Sequence, residues 1–143
     1  MHDVTIRAAG ESDIDALAAL SGELGYPSTA DEIRARLAQL PPDANAILVA
    51  DVGQVVGWIH VATQMSLETG FYAQIRGLVV TETHRSRGIG AKLIAAAEEW
   101  ASARNAPRMR VFSNVTRERT HLFYERHGYR VTKLQKSFEK RLS

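Results

Sequence analysis

The segment from Leu78 to Leu93, Leu-Val-Val-Thr-Glu-Thr-His-Arg-Ser-Arg-Gly-Ile-Gly-Ala-Lys-Leu, constrains the fold more than any other. Leu78-Val79-Val80 is an apolar strand end, the close of a strand running from Tyr72. A polar, basic loop follows. Two glycines one residue apart, Gly88 and Gly90, then open a helix from Ile89 to Arg104, with Leu93, Ile94, Ala97 and Trp100 on one face. After Pro107 the run Met109–Phe112 predicts another strand. A strand that returns through one helix to its neighbour makes the pair parallel. The chemistry of the turn is equally specific. A helix start exposes unpaired N–H groups at the positive end of its dipole, which suits phosphate oxygens. Glycine lets a phosphate approach the backbone with no Cβ in the way, and Arg85 and Arg87 add charge. The Gly-Lys-Ser/Thr of a nucleotide-binding P-loop is missing. A dinucleotide fingerprint is also a poor fit, because Leu93 fills its third small position. A glycine turn that only starts a helix has the same outline.

The remaining elements fall around this segment. Val4–Ala8 reads as a short strand. Ser12 or Asp13 caps a helix with Ile14, Leu17, Ala18 and Leu20 at helical spacing, ended by Gly22 or Gly25. Ser28 or Thr29 caps a second helix carrying Ile33 and Leu37, stopped by Pro41-Pro42. Residues 46–52 and 55–62 form a hairpin around the two-residue turn Gly53-Gln54. Residues 63–70 read as a polar loop. Glu118 to His127 is a helix with Leu122 and Phe123 inward, ended by Gly128. Tyr129–Val131 and Lys136–Arg141 read as closing strands. The fold class is α/β: one domain over residues 1–143, a twisted mixed sheet flanked by helices, in the order β-α-α-β-β-β-α-β-α-β(-β). Both single-helix passages make their flanking strands parallel.

Composition removes whole classes of function. With no cysteine among 143 residues, disulfides, cysteine-held zinc, iron–sulfur clusters and thiol nucleophiles are excluded. No apolar stretch approaches the ~20 residues of a membrane span, and the N-terminus lacks a signal-peptide pattern, so a cytoplasmic protein is expected. The net charge of +2 conceals an asymmetry. Residues 1–71 hold three basic and ten acidic side chains, a balance of −7; residues 72–143 hold fifteen and six, a balance of +9. A basic half points to an anionic ligand or to a solvated face. No aromatic interleaving or recognition motif supports nucleic acid.

A second segment completes the pattern. Phe123-Tyr124-Glu125 followed by Gly128-Tyr129 lies about thirty-five residues after the glycine loop. Alone, Tyr124 reads as a boundary tyrosine with a wet hydroxyl. Together, Arg85-x-x-Gly88-x-Gly90 and Tyr124-x-x-x-Gly128-Tyr129 resemble the GNAT superfamily of acyl-CoA-dependent N-acetyltransferases, and the element order is similar over essentially the whole chain. The resemblance implies acetyl-CoA as cosubstrate, with no metal. It implies that the backbone of Leu78, Val79 and Val80 meets the pantetheine arm. The N–H groups around Arg85, Arg87, Gly88, Ile89, Gly90 and Ala91 would hold the pyrophosphate. Tyr124 would protonate or hydrogen-bond the departing thiolate. It also implies a homodimer through C-terminal elements, with Lys136–Arg141 as a pairing edge.

The departures from the family pattern are informative. Its asparagine seven residues before the tyrosine is Arg117 here, with Asn114 slightly upstream; either would meet CoA. An acidic residue often found on the strand before the loop, as base for the amine, is Arg76. A protonated alkyl amine has a pKa near 10, so a route for its proton is needed. Glu23, Glu32, Glu68, His60, His121 and ordered water are the candidates, whereas His84 reads as a solvated loop residue. The implied reaction is direct attack of a primary amine on the thioester in a ternary complex. The acidic first half, with Asp13, Asp15, Glu23, Asp31 and Glu32, favours a small cationic acceptor. A peptide or protein amine is the other acceptor class, and a non-catalytic CoA-binding or regulatory module is the other function.

Overall fold

The computed structural model describes residues 3–113 and 117–143. They form two packed units, one ending at Val111 and the other starting at Phe112. The first holds a five-stranded sheet, β1 (Thr5–Ala8), β2 (Asn45–Asp51), β3 (Val55–Ser66), β4 (Gly70–Val80) and β5 (Met109–Val111), in spatial order 1-2-3-4-5. All neighbours are antiparallel except β4 and β5, which are parallel across α3 (Ile89–Ala103), as a single-helix crossover requires. Helices α1 (Ile14–Leu24) and α2 (Ala30–Gln39) connect β1 to β2. Among the described residues no helix is long and apolar enough to cross a membrane.

Local chemistry sets the helix ends. Gly25 stops α1 with φ 104°, a left-handed value that glycine takes without steric cost. Thr29 caps α2: its hydroxyl accepts the Glu32 N–H at 3.1 Å, and Glu32 Oε1 accepts the Thr29 N–H at 2.9 Å. Asp13 stands just before α1, but its carboxylate turns back to the Gly10 N–H at 2.7 Å and to Arg7. Ile14, Leu17 and Leu20 of α1 are buried, as are Leu93, Ile94 and Ala97 of α3, with Val49, Val56, Ile59 and Val61 of the sheet. Each such aliphatic side chain contributes about 1.5–3 kcal/mol on leaving water. Trp100, predicted on the buried face of α3, stays half-exposed with Arg104 4.0 Å over its ring.

Several sequence expectations need correction. The β2–β3 connection has three residues, Val52-Gly53-Gln54, with Gly53 at φ 103° beside a bulge at Ala50/Asp51. The loop expected at 63–70 is largely strand, since Thr63↔Ala73 through Ser66↔Gly70 continue the β3–β4 ladder. A backbone ladder needs no apolar side chains where one face meets solvent.

The second unit contains α4 (Glu118–Arg126), closed by Gly128 at φ 88°. Tyr124 is its buried residue, while Leu122, expected inward, is 55% exposed. Tyr129–Val131 and Lys136–Arg141, expected as closing strands, are not strands. A strand exists only through a ladder, and neither stretch joins one among the described residues. The parallel pair expected across α4 is therefore not formed.

Candidate active site

The site begins where β4 outruns its neighbour. β5 pairs with Ala73, Gln74 and Ile75 only, so beyond Ile75 the β4 edge has no strand neighbour on that side within the unit. Backbone groups alternate in direction along an antiparallel strand. The Thr81 N–H donates to the Val56 carbonyl on β3, which turns the groups of Leu78 and Val80 toward the open edge. The Val80 carbonyl does face that way, because Arg85 Nε donates to it at 3.0 Å. Val79 is instead buried, with its backbone toward β3.

From Val80 the chain makes one 3₁₀ turn, Glu82–His84, and then enters α3. Ser86 (φ 65°) and Gly88 (φ 79°) both adopt left-handed backbone conformations. No side chain caps α3, so the N–H groups of Ile89, Gly90 and Ala91 are its unpartnered first turn. Ile89 is buried, and its backbone rather than its side chain can serve a ligand. Arg85, Arg87 and Gly88 are exposed, Gly90 and Ala91 half-buried. The loop thus gathers donors, positive φ and cationic side chains in the seven residues from Arg85 to Ala91.

A tie to α1 holds this loop. The Glu23 carboxylate accepts the Thr81 hydroxyl at 2.8 Å and the Glu82 N–H at 3.1 Å. These bonds, aided by the charge of Arg85, lower its pKa. Glu23 is therefore a structural acceptor and a poor base. Thr81 escaped the sequence reading because the contact spans 58 residues and no local pattern signals it. Glu32 is likewise engaged, in the α2 cap. Glu68 sits exposed on the β3–β4 turn, and His84 Nδ1 lies 3.0 Å from the Thr83 hydroxyl.

The sheet face below the open edge carries the other polar groups. The His60 Nε2 lies 2.9 Å from Asn45 Oδ1. Burial, then the charge of Arg76, pushes the His60 pKa down to about 4. The ring is thus neutral at pH 7, a weak base whose Nε2–H donates to Asn45. Register jumps from His60↔Gly77 to Val61↔Ile75, which leaves Arg76 as the extra residue of a bulge. Its guanidinium faces the Gln64 amide, whose oxygen accepts from it. Gly77 is needed beside it, since a Cβ there would lie 2.8 Å from the Trp58 ring.

In the second unit, Tyr124 packs edge-on against Phe123 and Tyr129, with ring centroids 5.4 and 5.7 Å away. Burial raises its pKa to about 12, against a smaller lowering by Arg117. Arg117 precedes α4 and is exposed; His121 is half-buried on that helix. Asn114 lies outside the described residues. Among the described residues, no three His, Asp or Glu side chains gather as a metal-holding group.

An open strand edge leading into an uncapped, glycine-rich helix start suits a phosphate-bearing ligand. Residues 14–129 match the acetyltransferase (GNAT) family, and the chain belongs to it. It is an acyltransferase acting on nitrogen. The aminoalkylphosphonate N-acetyltransferase of Salmonella typhimurium is 34% identical over 131 residues, covering 87% of this chain and 84% of that one. Among solved structures, aminoglycoside N-acetyltransferase AAC(6')-Iy in complex with CoA superimposes with TM-score 0.88 at 19% identity, over 99% of this chain and 97% of that one. An aminoglycoside 6'-N-acetyltransferase from Acinetobacter haemolyticus gives TM-score 0.83 at 21% identity, over 97% and 99%. These two likenesses show the fold.

Proposed function

We propose that the protein moves the acetyl group of acetyl-CoA to the primary amine of a small acceptor by direct attack in a ternary complex. The observation that carries this reading is the open β4 edge at Leu78 and Val80 running into the unpartnered first turn of α3. The edge groups hydrogen-bond the pantetheine amides. The N–H groups from Gly88 to Ala91, with Arg85 and Arg87, receive the pyrophosphate. Arg117 or Asn114 takes the place of the family's asparagine toward CoA. In the step itself the amine nitrogen bonds to the thioester carbon, the carbon–sulfur bond breaks, and the amine proton leaves to water.

Tyr124 then donates a hydrogen bond to the departing thiolate. A thiol has a pKa near 8.5, and the phenol stands at about 12. Full proton transfer from Tyr124 is therefore uphill, and its work is to stabilise charge. Positioning supplies most of the remainder.

The acceptor we infer carries an acidic group beside its amine. The relative from Salmonella typhimurium, which acts on aminoalkylphosphonate, supports this. So does the engagement of four of the ten first-half acids: Asp13 pairs with Arg7, Asp31 with Arg34, and Glu32 with Arg36, while Glu23 binds Thr81. Those acids present little free charge to a polycation. A cytoplasmic homodimer belongs to the same reading; exposed Val131, Leu134, Phe138 and Leu142 offer apolar surface to a second copy, and light scattering tests it.

The deciding assay is thiol release with a panel of amines, using acetyl-CoA and longer acyl-CoAs. Transfer to an amine is expected, and Tyr124→Phe should lower kcat about 100-fold while moving the acetyl-CoA KM far less. CoA binding with no transfer to any amine would leave a regulatory module instead. Wild-type turnover in the Phe variant would remove Tyr124 from the mechanism.

A further inference from the structure

Arg76 is the residue of the β4 face that the reaction above leaves unused. The bulge frees it from the ladder, so its side chain is not committed to cross-strand packing. It is exposed, and it takes part in none of the ion pairs among the described residues. Among the described residues its hydrogen-bonding neighbour is neutral, the Gln64 amide. His60 stands across the ladder with Asn45 against it, and Gln64 is itself paired with Tyr72, whose ring carries Arg108 at 5.4 Å. This patch repels a cationic acceptor and attracts an anionic one.

Its position along β4 gives the charge a use. Arg76 is two residues before Leu78, about 7 Å along a strand, and Leu78 opens the edge assigned to the pantetheine arm. An acid held at Arg76 keeps a short acceptor near the thioester end. A guanidinium grips a phosphonate or a carboxylate in a two-pronged fashion that an ammonium does not.

We propose that Arg76 is the acceptor-specificity residue, binding the phosphonate or carboxylate of an amine that carries its acid a few bonds away, with Gln64 holding the guanidinium until that acid arrives. This deepens the reading of the preceding subsection and rests on it. No bond is made or broken here; the acid is held by charge and hydrogen bonds while the amine reacts.

The experiment is steady-state kinetics with acetyl-CoA and four acceptors: aminoethylphosphonate, β-alanine, propylamine and diaminopropane. It uses wild type, Arg76→Gln and Arg76→Lys. Wild type should prefer the acid-bearing amines, and the phosphonate and carboxylate arms show which acid fits. Arg76→Gln should cut their kcat/KM by about 10- to 100-fold, mainly through KM, as loss of a charge-assisted contact does. Its preference for them over propylamine should collapse, and Arg76→Lys should restore part of it. An equal loss for charged and uncharged amines overturns the proposal, as does a wild-type preference for propylamine or diaminopropane. In those cases transfer to propylamine still upholds the acetyltransferase reading. Absence of transfer to every amine defeats both.

Discussion

Arginines in the first fifty residues and arginines between 76 and 108 are held in different ways. Arg7 binds Asp13 at 2.8 Å and Asp51 at 3.1 Å; Arg34 binds Glu11 and Asp31; Arg36 binds Glu32. Each of these charges is met by an acid. By contrast, Arg76 rests on the Gln64 amide, Arg85 on the Val80 carbonyl, Arg104 on the Asp43 and Trp100 carbonyls, and Arg108 on the Thr69 carbonyl. A neutral oxygen fixes a guanidinium without cancelling its field. The first set therefore ties the fold together through ion pairs, whereas the second is held by neutral oxygens, Arg85 with the Glu23 charge also acting on it.

The largest effect should come from breaking the first set. Asp13 is 4% exposed, and Asp13→Ala strips the Gly10 N–H of its acceptor and Arg7 of one of its two carboxylate partners. Stability should fall by about 2–3 kcal/mol, read by thermal melting, with activity per folded molecule kept. The Arg7 bonds hold the Asp13 carboxyl below its ordinary 3.8. Its contribution is thus complete above that pH and is lost as pH falls below it. Asp13→Asn should flatten the acid limb of the stability curve. An unchanged limb would mean that the pair is not coupled to folding.

Next in size is Arg87→Ala, which removes a charge of the second set. The acetyl-CoA KM should rise about tenfold at low salt, less at high salt, since a phosphate contact is screened. The melting temperature should stay put. A stability loss with unchanged KM would place Arg87 with the structural arginines.

The smallest effect tests the boundary between the sets. Glu23→Gln keeps an oxygen for the Thr81 hydroxyl but removes the charge. A rise of a few-fold in acetyl-CoA KM, with kcat kept, is expected from a weakened loop anchor. A large drop in kcat with a shifted pH profile would restore Glu23 as a base.

What could be read from sequence follows the range of the interactions. Gly25, Thr29 and Gly128 act within four residues of themselves, and the helices they bound fall where spacing places them. The β4–loop–α3 segment is local as well, and its open donors follow from its glycines and the missing cap. Pairing is not local. The polar stretch 63–70 joins a ladder because β4 lies opposite, while 129–131 and 136–141 join no ladder among the described residues. The Glu23–Thr81 tie and the Arg76–Gln64 contact depend on register, which composition does not encode.

Helix α2 has a consequence of another kind. It fully buries none of its side chains; its cap, the half-buried Ile33 and Leu37 and weak exposed ion pairs hold it. Strands β2 and β3 contain residues with no exposure at all, Val49, Ile59 and Val61. Amide hydrogens in α2 therefore exchange with solvent through small, frequent openings, while those of the inner strands wait for the whole unit to come apart.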